Sequence, residues 1–279
     1  MTQAEKDAIA QDIKQRFPNL SDEDVTLMMS FIDRIHSNAA AHKAASSSGN
    51  GSTRAKSERK KKADRLVDSQ RPSQTYTIYV SIEDCPVKVF RRIKVPSNLW
   101  LGNLSHILID AIGWEGYHLW QFTEGDVNYT SMANIEDREK NGLYFHCRQV
   151  DDMTVTVADV LPRKGSKITF EYDFGDSWTH NVRVSSISDE PCDPFDIQVI
   201  SGKGACPPED VGGVWGYARM LDILSGKIDD PKEKASYEEW LGLEKGEKFD
   251  AERFDIEWAN EDILDIVSLI LDGKSLDMD

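Results

Sequence analysis

Four stretches of the chain alternate apolar and polar residues: TYTIYVSI (75–82), VKVFRRIKV (87–95), KITFEYDF (167–174) and SWTHNVRVSSI (177–187). A period of two sends successive side chains to opposite faces, so each segment predicts a strand with one buried face. The break EDCP between the first two predicts a hairpin. YHLWQF (117–122) and LYFHC (143–147) are shorter strand candidates. Between the strand regions, LGNLSHILIDAIGW places Leu104, Ile107, Leu108 and Ile112 on one helical stripe, with Gly113 positioned to terminate it. After CPPEDVGG the period becomes helical over Val214–Leu224, Pro231–Leu241 with Asp230 as its cap, and Ile256–Leu271. Strands first and helices later predict an α+β domain, a mostly antiparallel sheet with packed helices, over 74–279.

Two further regions precede that domain. Ile9, Ile13 and Phe17, then Val25, Met28, Met29, Ile32 and Ile35, recur at helical spacing, so 1–45 is read as a small helical segment. A pair this small buries little apolar surface alone, which points to assembly with a second copy or docking on a protein partner. Residues 46–73 are rich in Ser, Gly and Lys and have no hydrophobic period, the composition of a flexible, disordered basic linker.

Charge separates these regions. From Glu171 onward there are 27 acidic and 10 basic residues, whereas Ser52–Arg65 holds 7 basic and 2 acidic ones. An acidic surface repels a phosphate backbone, so any nucleic-acid contact is assigned to Arg54, Lys56, Arg59, Lys60, Lys61, Lys62 and Arg65 of the linker. The N-terminus lacks a basic-then-apolar leader pattern and no long apolar run occurs, which reads as a cytoplasmic chain without a membrane partner. Cys85, Cys147, Cys192 and Cys206 are widely spaced, which argues against a zinc ribbon and for reduced thiols.

The chemistry-bearing residues concentrate in two stretches. YDFGDSWTH (172–180) sets Asp173 and Asp176 around Gly175, with Trp178 and His180 on the apolar face of the following strand. Each has a structural explanation: aspartates bond back to turn amides, and Trp178 and His180 belong to a core. Two carboxylates across one tight turn nonetheless require a cation, a proton or several donors between them. A divalent metal held by Asp173, Asp176, His180 and His118 meets that need, with Mg²⁺ or Mn²⁺ favoured over Zn²⁺. In ACPPEDVGG (205–213), Glu209 and Asp210 are either the acidic entry to a helix or further pocket carboxylates. The Asp173-Phe174-Gly175 triplet lacks the other elements of a kinase, and GKGACP lacks the helix of a dinucleotide loop.

The strings RRIKVP, GWEGYHLWQF, YDFGDSWTH, CPPEDVGGVWGY and FDAERFD, in that order from about Tyr76 to Glu257, resemble the plasmid pRiA4b ORF-3-like family of mobile-element-associated proteins. The resemblance implies a compact α+β domain and no particular reaction. Trp120 and Ser105 stand where that family often has histidines, and Val211 where it commonly has cysteine. These departures weigh against zinc or thiol chemistry and leave His118, Asp173, Asp176, His180, Glu209 and Asp210.

Three functions follow as expectations. The first is an accessory binding module, encoded with mobile-element or defence functions, whose pocket is formed by His118, Asp173, Asp176, Trp178, His180, Glu209 and Asp210. The second is a divalent-metal hydrolase of phosphodiesters or nucleotides, with Glu209, Asp210 or His180 moving protons. The third is nucleic-acid binding through the basic linker.

Overall fold

A computed structural model describes residues 53–141 and 147–273, together with Lys6, Gln11 and Lys14 near the N-terminus; side chains are described from Ser57 onward. The expected helices within 1–45 and most of the LYFHC segment lie outside the described residues. The chain divides into two compact units, Met1–Arg59 and Lys60–Asp279.

The expected α+β architecture is present. Eight strands form one sheet: β1 (Thr75–Ile82), β2 (Phe90–Pro96), β3 (Trp120–Glu124), β4 (Val127–Thr130), β5 (Arg148–Asp151), β6 (Lys167–Tyr172), β7 (Trp178–Ser188) and β8 (Gln198–Lys203). They are ordered β5-β4-β3-β6-β7-β1-β2-β8, and every neighbouring pair is antiparallel except β4 with β5. Seven helices occur among the described residues: α1 (Thr53–Leu66), α2 (Leu101–Ile112), α3 (Met132–Lys140), α4 (Val157–Val160), α5 (Gly213–Leu224), α6 (Pro231–Trp240) and α7 (Ile256–Asp272). None of them is long and apolar enough to cross a membrane.

The alternation works as the sequence predicts. Along β1, Tyr76, Ile78, Val80 and Ile82 are buried while Thr75, Thr77, Tyr79 and Ser81 face outward and are half-buried. The inward set joins Val182, Val184, Ile168, Phe170, Phe122, Ile93 and Val95, with Leu104, Ile107 and Leu108 of α2, in a continuous core. Burying a side chain of this kind stabilises the fold by about 1.5–3 kcal/mol. Gly113 ends α2 at φ 114°, a conformation costly for any residue with a Cβ.

Arg91 breaks the alternation of β2. It points inward and is 2% exposed, and its guanidinium donates to five carbonyls: Ala111 at 2.7 Å, Ile112 at 2.9 Å, Phe90 at 2.8 Å, Lys203 at 2.9 Å and Gly204 at 3.0 Å. Its plane lies 3.9 Å from the Phe254 ring centroid. Burial lowers its pKa to about 10. The residue thus binds the last turn of α2 to the end of β8, and both segments lead directly into the candidate site.

The basic stretch departs from expectation. Over Thr53–Leu66 it is helix α1, not flexible linker. Ala, Lys, Arg and Glu are strong helix formers, and the helix end is anchored. Leu66 and Val67 are buried; Asn103 donates to the carbonyls of Arg65 and Leu66 at 2.8 and 3.0 Å; and Arg65 donates to the Leu271 carbonyl at 2.7 Å. Residues 46–52 lie outside the described residues.

Candidate metal centre

Three loops meet at the C-terminal end of β6. The first, 113–119, follows α2 and is fixed by Trp114, whose buried ring lies 5.5 Å from Tyr172 and 5.1 Å from Trp178. The second is the β6–β7 turn, 173–177. The third, 207–213, leads into α5. Of the four non-glycine residues with positive φ among those described, Asp173 (57°), Ser177 (52°) and Asp210 (56°) belong to these loops. Asp tolerates this region because its side chain can bond locally, but it remains strained, and such strain concentrates at functional sites.

The Asp173 and Asp176 side chains turn to different partners. The Asp173 Oδ1 accepts from the Gly175 amide at 2.8 Å, which closes the turn. The Asp173 amide donates to the Leu119 carbonyl at 2.9 Å, tying the turn to the first loop. Asp176 reaches the other way, and its Oδ2 accepts from the Gly212 amide at 2.9 Å. A Cβ on Gly213 would lie 2.4 Å from the Asp176 carbonyl, so the second and third loops touch backbone to backbone.

His118 stands at the centre. Its Nε2 lies 3.2 Å from Asp210 Oδ1, 3.6 Å from Asp173 Oδ2 and 3.9 Å from Glu209 Oε2. Donor atoms of His118, Asp173 and Asp210 fall within 4.8 Å of one another. Asp173 and Glu209 are largely shielded, at 7% and 11% side-chain exposure, whereas Asp210 is 64% exposed, so the cluster opens to solvent on one side.

Two tyrosines organise the carboxylates. Tyr172 donates to Glu209 Oε1 at 2.9 Å and accepts from the Gly116 amide at 3.1 Å. The same Glu209 oxygen accepts from the Glu115 amide at 2.8 Å. Tyr117 donates to Asp210 Oδ2 at 2.9 Å. Burial, reinforced by the Glu209 charge, raises the Tyr172 phenol far above its ordinary value, and burial also raises Glu209. Asp173, Glu209 and Asp210 therefore each spend one oxygen on structure and turn the other toward His118. Glu209 Oε2 and His118 Nε2 are both buried without a hydrogen-bond partner.

Of the four residues expected to gather, His118 and Asp173 lie in the cluster, joined by Asp210 with Glu209 3.9 Å from His118, while Asp176 and His180 lie outside it. His180 is wholly buried in the core; its Nδ1 lies 3.2 Å from the Phe170 carbonyl, and burial lowers its pKa to about 4. It is a neutral core residue. Trp178 is also wholly buried, beneath the site, where it supports Trp114 and Tyr217. Tyr117 and Tyr172 were not singled out from the sequence. The density of aromatic residues in GWEGYHLW was the available signal.

The basic residues are placed elsewhere. Arg59, Lys60 and Lys61 are exposed on α1, Lys62 pairs with Asp272 at 2.7 Å, and Arg65 is engaged with Leu271. The Arg54 and Lys56 side chains lie outside the described residues.

A family model for plasmid pRiA4b ORF-3-like proteins matches residues 74–258, a span that contains all three loops. Uncharacterized protein y4hQ of Sinorhizobium fredii (strain NBRC 101917 / NGR234) is 29% identical over 171 residues, covering 58% of this chain and 78% of its own length. The crystal structure of a protein of unknown function, MM3350 from Methanosarcina mazei Go1, superposes with a TM-score of 0.54 at 27% identity, covering 68% of this chain and 98% of that one. The chain belongs to the plasmid pRiA4b ORF-3-like protein family.

Proposed function

We propose that this protein is a binding module that holds a divalent cation between His118, Asp173 and Asp210, with Glu209 beside them, and presents the ion's open side to an anionic ligand. The two buried atoms without partners, His118 Nε2 and Glu209 Oε2, carry the reading: burying such groups unmatched costs about 1–3 kcal/mol each, which a bound ion offsets. The spacing also fits. Ligands about 2.1 Å from a six-coordinate ion lie roughly 3 Å apart at adjacent positions and about 4.2 Å apart when opposed. The distances of 3.2, 3.6 and 3.9 Å fall in that interval. One imidazole with several carboxylates suits Mn²⁺, with Zn²⁺ as its competitor. A role as an accessory to mobile-element functions accords with the plasmid family to which the chain belongs.

Calorimetry of the purified chain with Mn²⁺, Zn²⁺ and Mg²⁺ tests the proposal. One Mn²⁺ site per chain is expected, with affinity reduced at least tenfold in His118→Ala and in Asp173→Asn. Affinity should also fall on acidification, as imidazole and carboxylates take up protons in competition with the metal. Absence of binding at millimolar Mn²⁺ would overturn the proposal.

A metal-dependent hydrolase is the second reading, favoured by the Glu209 carboxylate beside the cluster, whose pKa burial raises and whose Oε2 accepts no hydrogen bond, where it could take a proton from metal-bound water. Mn²⁺-dependent turnover of bis(p-nitrophenyl) phosphate that disappears in Glu209→Gln would favour it over the module.

A further inference from the structure

The outward face of the sheet carries a second feature, unrelated to the metal centre. On β1 and β2 the Tyr79 and Phe90 rings stack with centroids 5.4 Å apart and planes 20° from parallel. Cations surround them. The Arg183 guanidinium lies 4.5 Å from the Tyr79 centroid, and the Lys88 ammonium 5.4 Å from that of Phe90. Register places Arg92 opposite Tyr79 on one side, Arg183 on the other, and Lys167 opposite Arg183. The row Lys167–Arg183–Tyr79–Arg92 therefore runs across four adjacent strands, about 14 Å at ordinary strand spacing.

The charge balance here is the reverse of the chain's as a whole. Among the described residues, Lys88, Arg92, Lys167 and Arg183 form no ion pair with a carboxylate, although acidic residues outnumber basic ones 49 to 33. Four carboxylates on or beside the sheet have other partners: Asp196 with Lys94 at 2.5 Å, Glu252 with Lys203 at 2.5 Å, Glu83 with the Asn181 side-chain amide at 3.3 Å and Glu171 with the Gln121 side-chain amide at 2.9 Å. Arg138 of α3 lies over Phe174 and contacts Gln121 and Gln149, so α3 covers only the β3–β5 end of this face. The β1–β2–β7 part remains outward, with Arg92, Lys88 and Lys167 exposed.

We infer that this outward sheet face binds single-stranded nucleic acid, with bases stacked on the Arg183 guanidinium and packed against the outward edges of the Tyr79–Phe90 pair, and phosphates held by Lys88, Arg92 and Lys167. Stacking requires bases splayed from a duplex, and a flat sheet bearing aromatic rings meets them where an acidic globular surface does not. Duplex DNA, which offers no free base faces, binds more weakly. Strand chemistry, ribose or deoxyribose, is left to the measurement.

Fluorescence anisotropy of labelled oligo(dT) and oligo(U) of about 15 nucleotides, titrated with the full chain in low salt without divalent metal, tests this independently of the cation site. Binding of at least one oligomer is expected, with a salt slope of about −2 to −3 for three to four phosphate contacts. Arg92→Glu with Arg183→Glu should reduce affinity more than tenfold, and Tyr79→Ala about tenfold, because the ring that holds the Arg183 plane for one base is lost. Should Tyr79→Ala fail to fold, Phe90→Leu with unchanged circular dichroism supplies the same reading. Lys60→Glu with Lys61→Glu in α1 should change affinity less than twofold. The inference is overturned by no binding at 20 mM salt (about 20 Å Debye length), by loss in the α1 variant but not in the sheet variants, or by equal affinity for polyglutamate.

Discussion

Asp173 and Asp176 stand three residues apart on one turn, yet the fold gives them separate tasks. Asp173 is buried, closes the turn with one oxygen and offers the other to His118. Asp176 binds the Gly212 amide and holds the third loop in place. Asp176→Ala should therefore cost about 1–2 kcal/mol of stability, the loss of one charge-assisted hydrogen bond, while Mn²⁺ affinity at saturating fold stays within about threefold. Asp173→Asn should do the opposite, and denaturant titration alongside calorimetry separates the two. From sequence the pair looked like joint ligands because spacing reveals proximity but not direction. The positive φ at Asp173 turns its side chain toward the first loop, and no residue-level pattern announces that. His180 was legible as a core residue from the alternation of β7, and that half of its reading holds. Glu209 and Asp210 were legible as acidic residues before a helix, but their approach to His118 depends on Arg91 and Trp114 fixing a loop far away in sequence.

At the scale of elements, strong periodicity and caps were readable. The long strands β1, β6 and β7 alternate cleanly; α2 ends at Gly113; Asp230 bonds the Glu233 amide at the start of α6. Weak elements were not readable. β4 and β5 have four residues each, too short to display a period, and α3 is a polar helix with only Asn134 and Arg138 buried. β8, QVISGK, is an edge strand interrupted by glycine. The basic stretch carries no helical signal in its hydrophobic pattern because a helix anchored at one end needs no hydrophobic stripe along its length. Leu66, Val67 and the bonds from Asn103 suffice to order α1 at its end.

For the molecule as a whole, excess acidity leaves a mark on stability. Asp110 and Asp152 both have pKa values raised to about 7 by burial, Asp110 also by Asp262 and Asp265 across the α2–α7 packing and Asp152 also by Asp151. A folded-state value above the unfolded value means that their favourable contribution is complete below about pH 4 and disappears as pH rises through 7. Asp159 and Glu233, whose values are lowered by hydrogen bonds to Arg71 and Arg219, act in the opposite sense only at more acidic pH. His180, whose pKa burial lowers to about 4, opposes them only up to its unfolded value near 6.5, so between about pH 6.5 and 8 the melting temperature should fall as pH rises. Asp110→Asn and Asp152→Asn should each flatten that fall and raise the midpoint more at pH 8 than at pH 5.5. A wild-type profile already flat across this window would contradict the assignment.

The central claim is that loops 113–119, 173–177 and 207–213 close around an ion. Anomalous diffraction from crystals equilibrated with MnCl₂ addresses it directly. A single strong peak should lie about 2.2 Å from His118 Nε2 and from oxygens of Asp173 and Asp210. Crystals that show no peak there, with His118 Nε2 instead hydrogen-bonded to Asp210, would contradict the account.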